Sequence, residues 1–190
     1  MLKSYFDVKK TEAGCDEVGR GCLAGPVVAA AVILPKYFKH DVLTDSKKLH
    51  FSERELLKIE IENIALDYAI GETSAQEIDE MNILNATHLA MKRAINNIQI
   101  KPEKILIDGK YVPSGLLNAE AFFGGDKVHQ QISAASIYAK HFRDYLMSQY
   151  AQIFPKYYFE KNKGYPTQMH KEAIIEFGLS KIHRKSFKMK

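Results

Sequence analysis

Uninterrupted apolar segments divide the chain into candidate strands. The longest, PVVAAAVIL at 26–34, is apolar without alternation, which predicts a strand buried on both faces. Residues 13–18 precede it across a glycine-rich turn, and KILID at 104–108 predicts a short buried strand that ends on an acid. Residues 65–72 and 119–123 predict two further strands. The pattern therefore predicts five strands in all.

Helices are indicated by capping residues and by apolar residues spaced three and four apart. Ser52 with Glu55, and Ser74 with Glu77, each fit a capping box, in which the two side chains satisfy free backbone N–H groups at the start of a helix. Small and apolar residues recur at helical spacing through 129–150, which predicts one buried stripe. The predicted helices lie near 52–64, 75–80, 82–97, 129–150 and between Pro166 and Gly178. This order of elements predicts an α/β domain with a mixed sheet and a helical C-terminal part.

Length and composition indicate an ordinary globular chain. Its 190 residues are 46% hydrophobic and 26% charged, which suits one domain with a sizeable core. Cys15 and Cys22 fit neither a disulfide framework nor a zinc site. The N-terminus lacks an apolar signal segment, and the longest apolar run falls short of the roughly 20 residues that span a bilayer. We therefore expect a cytoplasmic protein with no membrane partner.

Positive charge is concentrated at one end of the chain. The net charge of +4 is too small by itself to indicate a nucleic-acid partner. Residues 181–190, KIHRKSFKMK, nevertheless hold five basic residues and no acid. Such a tail is either a solvated terminus or a contact for phosphate groups, and composition leaves both interpretations open.

Adjacent carboxylates occur twice, at Asp16–Glu17 and at Asp79–Glu80. Roughly three such pairs are expected by chance in a chain with this many acids, so adjacency alone carries no information. Their positions differ, however. Asp79–Glu80 lies in a polar helical region and is expected on a solvated face, whereas Asp16 ends a predicted strand. Only the first pair is therefore a candidate for chemistry.

Acids at the ends of three predicted strands are expected to converge. Asp108 ends KILID and Asp126 follows a third strand, so with Asp16 and Glu17 they make a set of four. Two carboxylates ~5 Å apart repel by roughly 3 kcal/mol at an effective dielectric constant of about 20, so four require protonation or cations. Oxygen ligands favour Mg²⁺ or Mn²⁺, and a pair of such ions can cleave phosphodiesters. Because side chains alternate along a strand, Glu17 joins the site only if the strand is distorted, if the side chain reaches round, or if the residue ligates partly through its backbone.

The segments that hold these residues resemble the bacterial ribonuclease HII family. They occur in family order over nearly the whole chain: GCDEVGRGCLAGPVVAAAVIL, TDSKKL, EIDEMNILNATHLAM, ILIDG, GGDKV, ISAASIYAK and NKGYP. The resemblance implies a ribonuclease H-like fold, with a central mixed five-stranded sheet flanked by helices. It implies a single catalytic domain over 1–190, in which 153–190 is a basic helical extension. One departure is FFGGDK, where many members carry KGD; the acid is kept, but the neighbouring positive charge is not.

The resemblance also implies a reaction. Family members hydrolyse the RNA strand of RNA–DNA hybrids and nick 5′ of single ribonucleotides embedded in duplex DNA, leaving 3′-hydroxyl and 5′-phosphate ends. The implied catalytic and metal-binding acids, which hold two Mg²⁺ or Mn²⁺ ions during catalysis, are Asp16, Glu17, Asp108 and Asp126. The implied partners are RNA–DNA hybrid and ribonucleotide-containing duplex DNA, and we expect a monomer.

Three motifs are expected to bind the substrate. Their residues are Gly19, Arg20, Gly21, Ser46, Lys47, Lys48 and Tyr165. The two glycines expose backbone that can touch the ribose 2′-OH, the group that distinguishes RNA from DNA. The lysines suit a phosphate, and the tyrosine on its Gly–Pro turn suits a sugar or a base. Taken alone, these patterns also fit a hairpin turn, solvent-exposed lysines and a packed surface tyrosine.

Several residues are given no role in the site. Three phenylalanines are expected in the core: Phe122, Phe123 and Phe142. His170 and His183 stay unassigned, and Asp144, beside Arg143 in a helix, is expected to make a salt bridge. One rival function is a resolvase- or integrase-like nuclease on the same fold, against which the GRG and GYP motifs argue. The other is a hybrid-binding protein without catalysis, against which the four retained acids argue.

Overall fold

The five predicted strands form one mixed sheet. The computed structural model describes residues 2–7, 9–36, 38, 43 and 50–189. The strands are β1 (Glu12–Val18), β2 (Val27–Ile33), β3 (Asp67–Thr73), β4 (Lys104–Asp108) and β5 (Ala119–Phe122). Their order across the sheet is β3-β2-β1-β4-β5. The β1–β2 and β2–β3 pairs are antiparallel, and the β1–β4 and β4–β5 pairs are parallel. The predicted number of strands and the mixed sheet are thus confirmed.

Helices cover both faces of this sheet. They are α1 (Phe51–Ile64), α2 (Ala75–Met81), α3 (Ile83–Asn97), α4 (Gln130–Ile153), α5 (Phe159–Asn162) and α6 (Gln168–Phe177). One core lies between α3 and one face of β1 and β2, and a second lies between α1, α4 and the other face of β2. β2 is therefore buried along its whole length, as its unbroken apolar pattern predicts. Within the described ranges, no helix is long and apolar enough to cross a membrane.

A glycine allows α4 to approach the sheet closely. A Cβ on Gly14 of β1 would lie 2.1 Å from the carbonyl carbon of Gln131, so any larger side chain there would push the helix away. The consequence is that every residue of α4 from Gln130 to Ile137 is buried. The prediction of one buried stripe is therefore wrong for the first two turns of α4, in which every side of the helix is buried. Further along the helix, only part of its surface is buried.

One of the two predicted capping boxes is present. At the start of α2, the N–H of Glu77 donates to Ser74 Oγ (3.2 Å) and the N–H of Ser74 donates to Glu77 Oε2 (2.8 Å). The box predicted at Ser52 is wrong, because the N-cap of α1 lies two residues earlier. His50 occupies the N-cap position, and its backbone N–H donates to Glu53 Oε2 (2.6 Å). Glu53, rather than Glu55, is therefore the acid of the capping box.

The C-terminal segment is tied to the body of the protein by an acid of α2. Asp79 accepts hydrogen bonds from the N–H of Lys185 (2.9 Å) and from the N–H and Oγ of Ser186 (2.9 and 2.6 Å). The solvated face predicted for Asp79–Glu80 is present at Glu80, which is exposed, whereas Asp79 is partly buried because it caps backbone groups of the tail. Arg184 is buried, so the tail that contains it is not a simple solvated terminus.

Candidate active site

Four acids meet at the carboxyl end of the central strands. Asp16 and Asp108 lie near the ends of the parallel neighbours β1 and β4, and parallel strands present these ends at the same edge of a sheet. Asp126 comes from a 3-10 turn that follows β5. All four predicted acids line one cavity of about 110 Å³, and they are Asp16, Glu17, Asp108 and Asp126. The same cavity is also lined by Val18, Ser136, Lys140 and Tyr165.

Glu17 reaches this cavity because β4 stops short beside it. β1 remains in regular register with β2 as far as Val18, so that pairing is not distorted at Glu17. The pairing of β1 with β4, by contrast, ends at Cys15↔Ile107. The edge of β1 beyond that point is not covered by β4. The regular register of β1 with β2 therefore argues against a distorted strand, and leaves a side chain that reaches round or ligation through the backbone.

Burial and mutual repulsion disfavour the charged forms of these acids. Asp16 is 6% exposed, and desolvation, followed by the charges of Glu17 and Asp108, raises its pKa well above the usual range. Desolvation also raises the pKa of Glu17, although Arg20 opposes the shift. Backbone N–H groups offer some compensation, since Gly125 donates to Asp108 Oδ1 (2.7 Å). The cluster therefore carries more negative charge than its surroundings stabilise.

The donor set suits hard divalent cations. Its ligand atoms are carboxylate oxygens, which bind Mg²⁺ and Mn²⁺ in preference to softer metals. Across the described ranges, no three acidic, histidine or cysteine side chains are placed closely enough to hold an ion as they stand, so the four acids line one cavity without converging on one point. A divalent ion would offset both the repulsion and the cost of burial, so these residues fit such a group.

A buried arginine donates hydrogen bonds to the backbone of the turn after β1. Arg184 donates from Nη2 to the carbonyl of Gly19 (2.7 Å), from Nη1 to that of Arg20 (2.9 Å) and from Nε to that of Gly25 (3.0 Å). Burial lowers the pKa of Arg184 to about 10, so the side chain stays charged at neutral pH. The carbonyl oxygens thus take the place of a carboxylate partner.

The two glycines of the GRG motif have different surroundings. Gly19 has a φ of +93°, and a Cβ there would lie 2.2 Å from Nε of Arg143. Gly21 has no atom within 4 Å of a Cβ position and no left-handed φ. The fold itself therefore requires glycine at residue 19, whereas at residue 21 it leaves open space above the backbone.

A second buried arginine joins this turn to the turn that carries Tyr165. Arg143, on α4, donates from Nη2 to the carbonyl of Ala24 (3.1 Å) and from Nη1 to that of Lys163 (2.8 Å). The N–H of Leu23 also donates directly to the carbonyl of Gly164 (2.8 Å). The two turns that were expected to contact the substrate are therefore parts of one hydrogen-bonded unit.

Tyr165 stands at the edge of the acid cavity. Its ring centroid lies 5.7 Å from Nζ of Lys140 and 5.8 Å from Cζ of Arg143. Burial is the largest cause that raises the pKa of Tyr165 to about 12, so its hydroxyl is neutral at physiological pH. Since the ring lines the same cavity as the acids, a ligand held by the acids would meet it.

Two buried histidines fix the backbone of Tyr165. The N–H of Ser180 donates to Nδ1 of His183 (2.8 Å), so Nε2 carries the hydrogen of the neutral ring. That nitrogen lies 3.0 Å from Nε2 of His170, whose Nδ1 lies 2.8 Å from the carbonyl of Tyr165. The chain of donors requires two neutral rings. Burial is the main cause that lowers the pKa of both, and that of His183 falls to about 4.

The supporting residues were largely missed at the level of sequence. Arg143 could have been identified, because it occupies a position of the predicted buried stripe of α4 although it is charged. Asp144 makes the salt bridge expected of it, but with Arg54 (3.2 Å) and Lys140 (2.7 Å) rather than with its neighbour. Arg184 gave no signal, since it lies within the basic tail.

Two further predictions have different outcomes. The phosphate-binding loop predicted at Ser46, Lys47 and Lys48 lies outside the described residues. Phe123, predicted as a core residue, is instead strongly exposed, while Phe122 and Phe142 are partly buried. Since neighbouring residues at the end of a strand face opposite ways, only one of two adjacent phenylalanines can point inward.

Comparison with known proteins agrees with this architecture. The family model described as Ribonuclease HII matches residues 13–190. The Ribonuclease HII of Christiangramia forsetii is 48% identical over 99% of this chain and 96% of its own. The ribonuclease HII of Archaeoglobus fulgidus, solved in a complex with PCNA, superposes with a TM-score of 0.78 at 26% identity, covering 95% of this chain and 96% of that one. Bst-RNase HIII, solved with Mn²⁺, shares the fold at a TM-score of 0.75 and 19% identity, over 93% of this chain and 67% of that one. This chain belongs to the ribonuclease HII family.

Proposed function

We propose that this protein is a metal-dependent endoribonuclease that hydrolyses the RNA strand of RNA–DNA hybrids and nicks 5′ of single ribonucleotides in duplex DNA. The observation that supports it most directly is the shared cavity of Asp16, Glu17, Asp108 and Asp126, in a chain of the ribonuclease HII family. Such a cluster would repel phosphates unless cations were bound to it, so simple hybrid binding without metal is disfavoured.

The four acids would hold two Mg²⁺ or Mn²⁺ ions. Such ions supply an activated water and stabilise the leaving 3′-oxygen in this class of reaction. Asp16 and Glu17 bring charge from β1, Asp108 brings it from β4, and Asp126 brings it from the turn after β5. Because these carboxylates come from separate elements of a packed core, their spacing is set by the fold before the substrate arrives.

The turn at Gly19, Arg20 and Gly21 would recognise the ribose. Open space above Gly21 lets a sugar approach the backbone, and backbone donors and acceptors can distinguish a 2′-OH from a hydrogen. Tyr165, joined to this turn through Arg143, would contact the deoxynucleotide that follows. The predicted loop at Ser46, Lys47 and Lys48 would bind a phosphate of the duplex.

The decisive experiment supplies a labelled DNA duplex that contains one ribonucleotide, with and without Mg²⁺, and maps the nick. We expect cleavage only with metal, on the 5′ side of the ribonucleotide, with 3′-hydroxyl and 5′-phosphate ends. An all-DNA duplex and a duplex with a 2′-O-methyl group at the same position should stay intact. Equal cleavage of the all-DNA duplex would favour a resolvase-like nuclease, and tight binding without any cleavage would favour a non-catalytic hybrid-binding protein.

We infer a cytoplasmic location from the state of the cysteines. Cys15 and Cys22 are both buried free thiols, and unpaired cysteines are typical of proteins in reducing compartments.

A further inference from the structure

The turn after β5 presents an aromatic ring to solvent. Phe122 packs edge-on against Phe6 and His129, at centroid distances of 5.5 and 4.6 Å. The next residue, Phe123, points away from this cluster and is 81% exposed. Tyr111, in the segment after β4, is 67% exposed, and Nζ of Lys110 lies 5.3 Å from the ring centroid of Phe123. Two exposed aromatic side chains and a cation thus stand close to the acids.

These side chains line a groove that begins at the acid cluster. The groove has a volume of about 510 Å³ and is lined by Glu17, Asp108 and Asp126 as well as by Phe123 and Tyr111. The same three acids line the smaller cavity that contains Tyr165. The acids are therefore shared between two openings, one lined by Tyr165 and the other by the aromatic pair.

The basic residues of the groove suit a polyanion. Lys110 and Lys127 line it together with Arg20, whose Nη1 is ion-paired with Glu17 Oε1 at 3.3 Å. Cations beside exposed aromatic rings are typical of surfaces that hold a nucleic-acid strand through its phosphates and through the faces of its sugars and bases. Single exposed apolar residues are common on proteins. Here, however, both rings border the same groove, and this groove is continuous with the candidate active site.

We propose that Phe123 and Tyr111 form a wall that contacts the cleaved strand on the 5′ side of the scissile phosphate. This inference rests on the proposed function, in which the ribonucleotide and the deoxynucleotide beside Tyr165 lie on the 3′ side. A strand that crosses the acids must leave by the other opening, and the aromatic wall borders that opening. The two rings contact the faces of sugars and bases, while Lys110 binds a phosphate.

The test compares Phe123→Ala, Tyr111→Ala and the double variant with wild type on a duplex that contains one ribonucleotide. Loss of one aromatic contact should raise KM about tenfold with kcat nearly unchanged, without moving the nick. The matched control is Ile175→Ala, which removes an exposed apolar side chain of α6 and should leave KM unchanged. Because all three side chains are exposed, the melting temperature of each variant and its rise with Mg²⁺ should match those of wild type.

Substrates with one arm shortened determine which side the wall contacts. Shortening the 5′ arm of the cleaved strand should raise the KM of wild type to that of Phe123→Ala. Shortening the 3′ arm should leave the KM of wild type lower than that of the variant. The opposite pattern, or an unchanged KM for the double variant on the full duplex, would overturn the proposal. Failure of wild type to nick would refute the proposed function instead. In that case the Kd of the same duplex, measured by fluorescence anisotropy, still tests the wall, since the double variant must bind more weakly.

Discussion

At the residue scale, the buried charges of this protein are of two kinds. Arg143 and Arg184 donate to backbone carbonyls that the fold places around them. Asp16, by contrast, accepts a hydrogen bond from the N–H of Glu17 (2.7 Å) but lies beside two other acids, and its pKa is raised by burial and by the charges of Glu17 and Asp108. The protein alone pairs the arginines fully, whereas it offsets the charge of the acid cluster only in part, through Arg20 and backbone N–H groups.

Neutralising Asp16 should therefore stabilise the metal-free protein while it abolishes cleavage. We expect Asp16→Asn to raise the free energy of unfolding without metal by roughly 1–2 kcal/mol, because an amide of the same shape avoids both the desolvation of a charge and the repulsion. Mn²⁺ or Mg²⁺ should stabilise wild type by mass action and the variant much less. Urea unfolding with and without metal measures both effects.

The pH dependence of the same measurement gives a second check. A carboxyl group with a raised pKa binds its proton more tightly when folded. The metal-free stability of wild type should therefore fall as the pH rises from 3.8, the ordinary value for aspartate, through the raised pKa. Asp16→Asn should show a smaller fall. Glu80→Gln, on an exposed position of α2, is the control and should follow wild type; an Asn variant no more stable than wild type would contradict the repulsion.

The histidine chain should make the protein sensitive to acid. His183, kept neutral by burial with a pKa of about 4 rather than 6.5, binds fewer protons folded than unfolded. Stability should therefore be complete above pH 6.5 and be lost as the pH falls toward 4, by roughly 2–3 kcal/mol. His183→Asn keeps an acceptor for the N–H of Ser180 but cannot titrate. Its unfolding free energy, measured by denaturant at several pH values, should depend less on pH; an unchanged dependence would exclude His183 as the cause.

At the scale of elements, the turn after β1 separates the requirements of folding from those of recognition. We expect Gly21→Val to fold and to keep its stabilisation by Mg²⁺, because the position is open and its φ is not left-handed. Cleavage at a single ribonucleotide should fall by at least about a hundredfold, since a branched side chain would stand where the ribose must approach. Nicking rates and the melting temperature with and without Mg²⁺ measure the two properties.

Gly19→Val is the matched contrast within the same turn. Its φ of +93° and the contact with Arg143 should destabilise the whole protein by more than about 2 kcal/mol. If Gly21→Val cleaved as wild type does, the space above this turn would not be where the ribose binds.

Elements were predicted from the sequence with more success than contacts between them. The five strands follow from short apolar runs, and the four acids were identified because each lies at or beside the end of a strand. The hydrogen bonds from Arg184 to the turn after β1 could not be predicted from a local pattern, because Gly19 and Arg184 are 165 residues apart. A guanidinium that binds carbonyls also needs no acidic partner in the sequence, and therefore leaves no charge pattern to find.

At the scale of the whole molecule, substrate selectivity should depend on Arg184. Arg184→Lys keeps the charge but cannot reach three carbonyls with one ammonium group, so we expect stability to fall by about 2–4 kcal/mol. Below the melting temperature of the variant, nicking at a single ribonucleotide should fall more than stabilisation by Mg²⁺ does, since the acids do not depend on this clamp. Lys188→Ala, a change at an exposed position of the same segment, is the control and should alter neither property. Equal loss of both would mean that Arg184 supports the fold as a whole.

The clamp by Arg184 also has a consequence for biosynthesis. A ribosome releases the acids and the turn after β1 long before residue 184, so a nascent chain can assemble its sheet while the carbonyls of Gly19 and Gly25 still lack their guanidinium. The segment that fixes the turn beside the acids therefore emerges after the acids themselves. Translation therefore delivers the acid cluster first and the guanidinium that positions the neighbouring turn afterwards, and a chain that ends before residue 184 would lack that positioning.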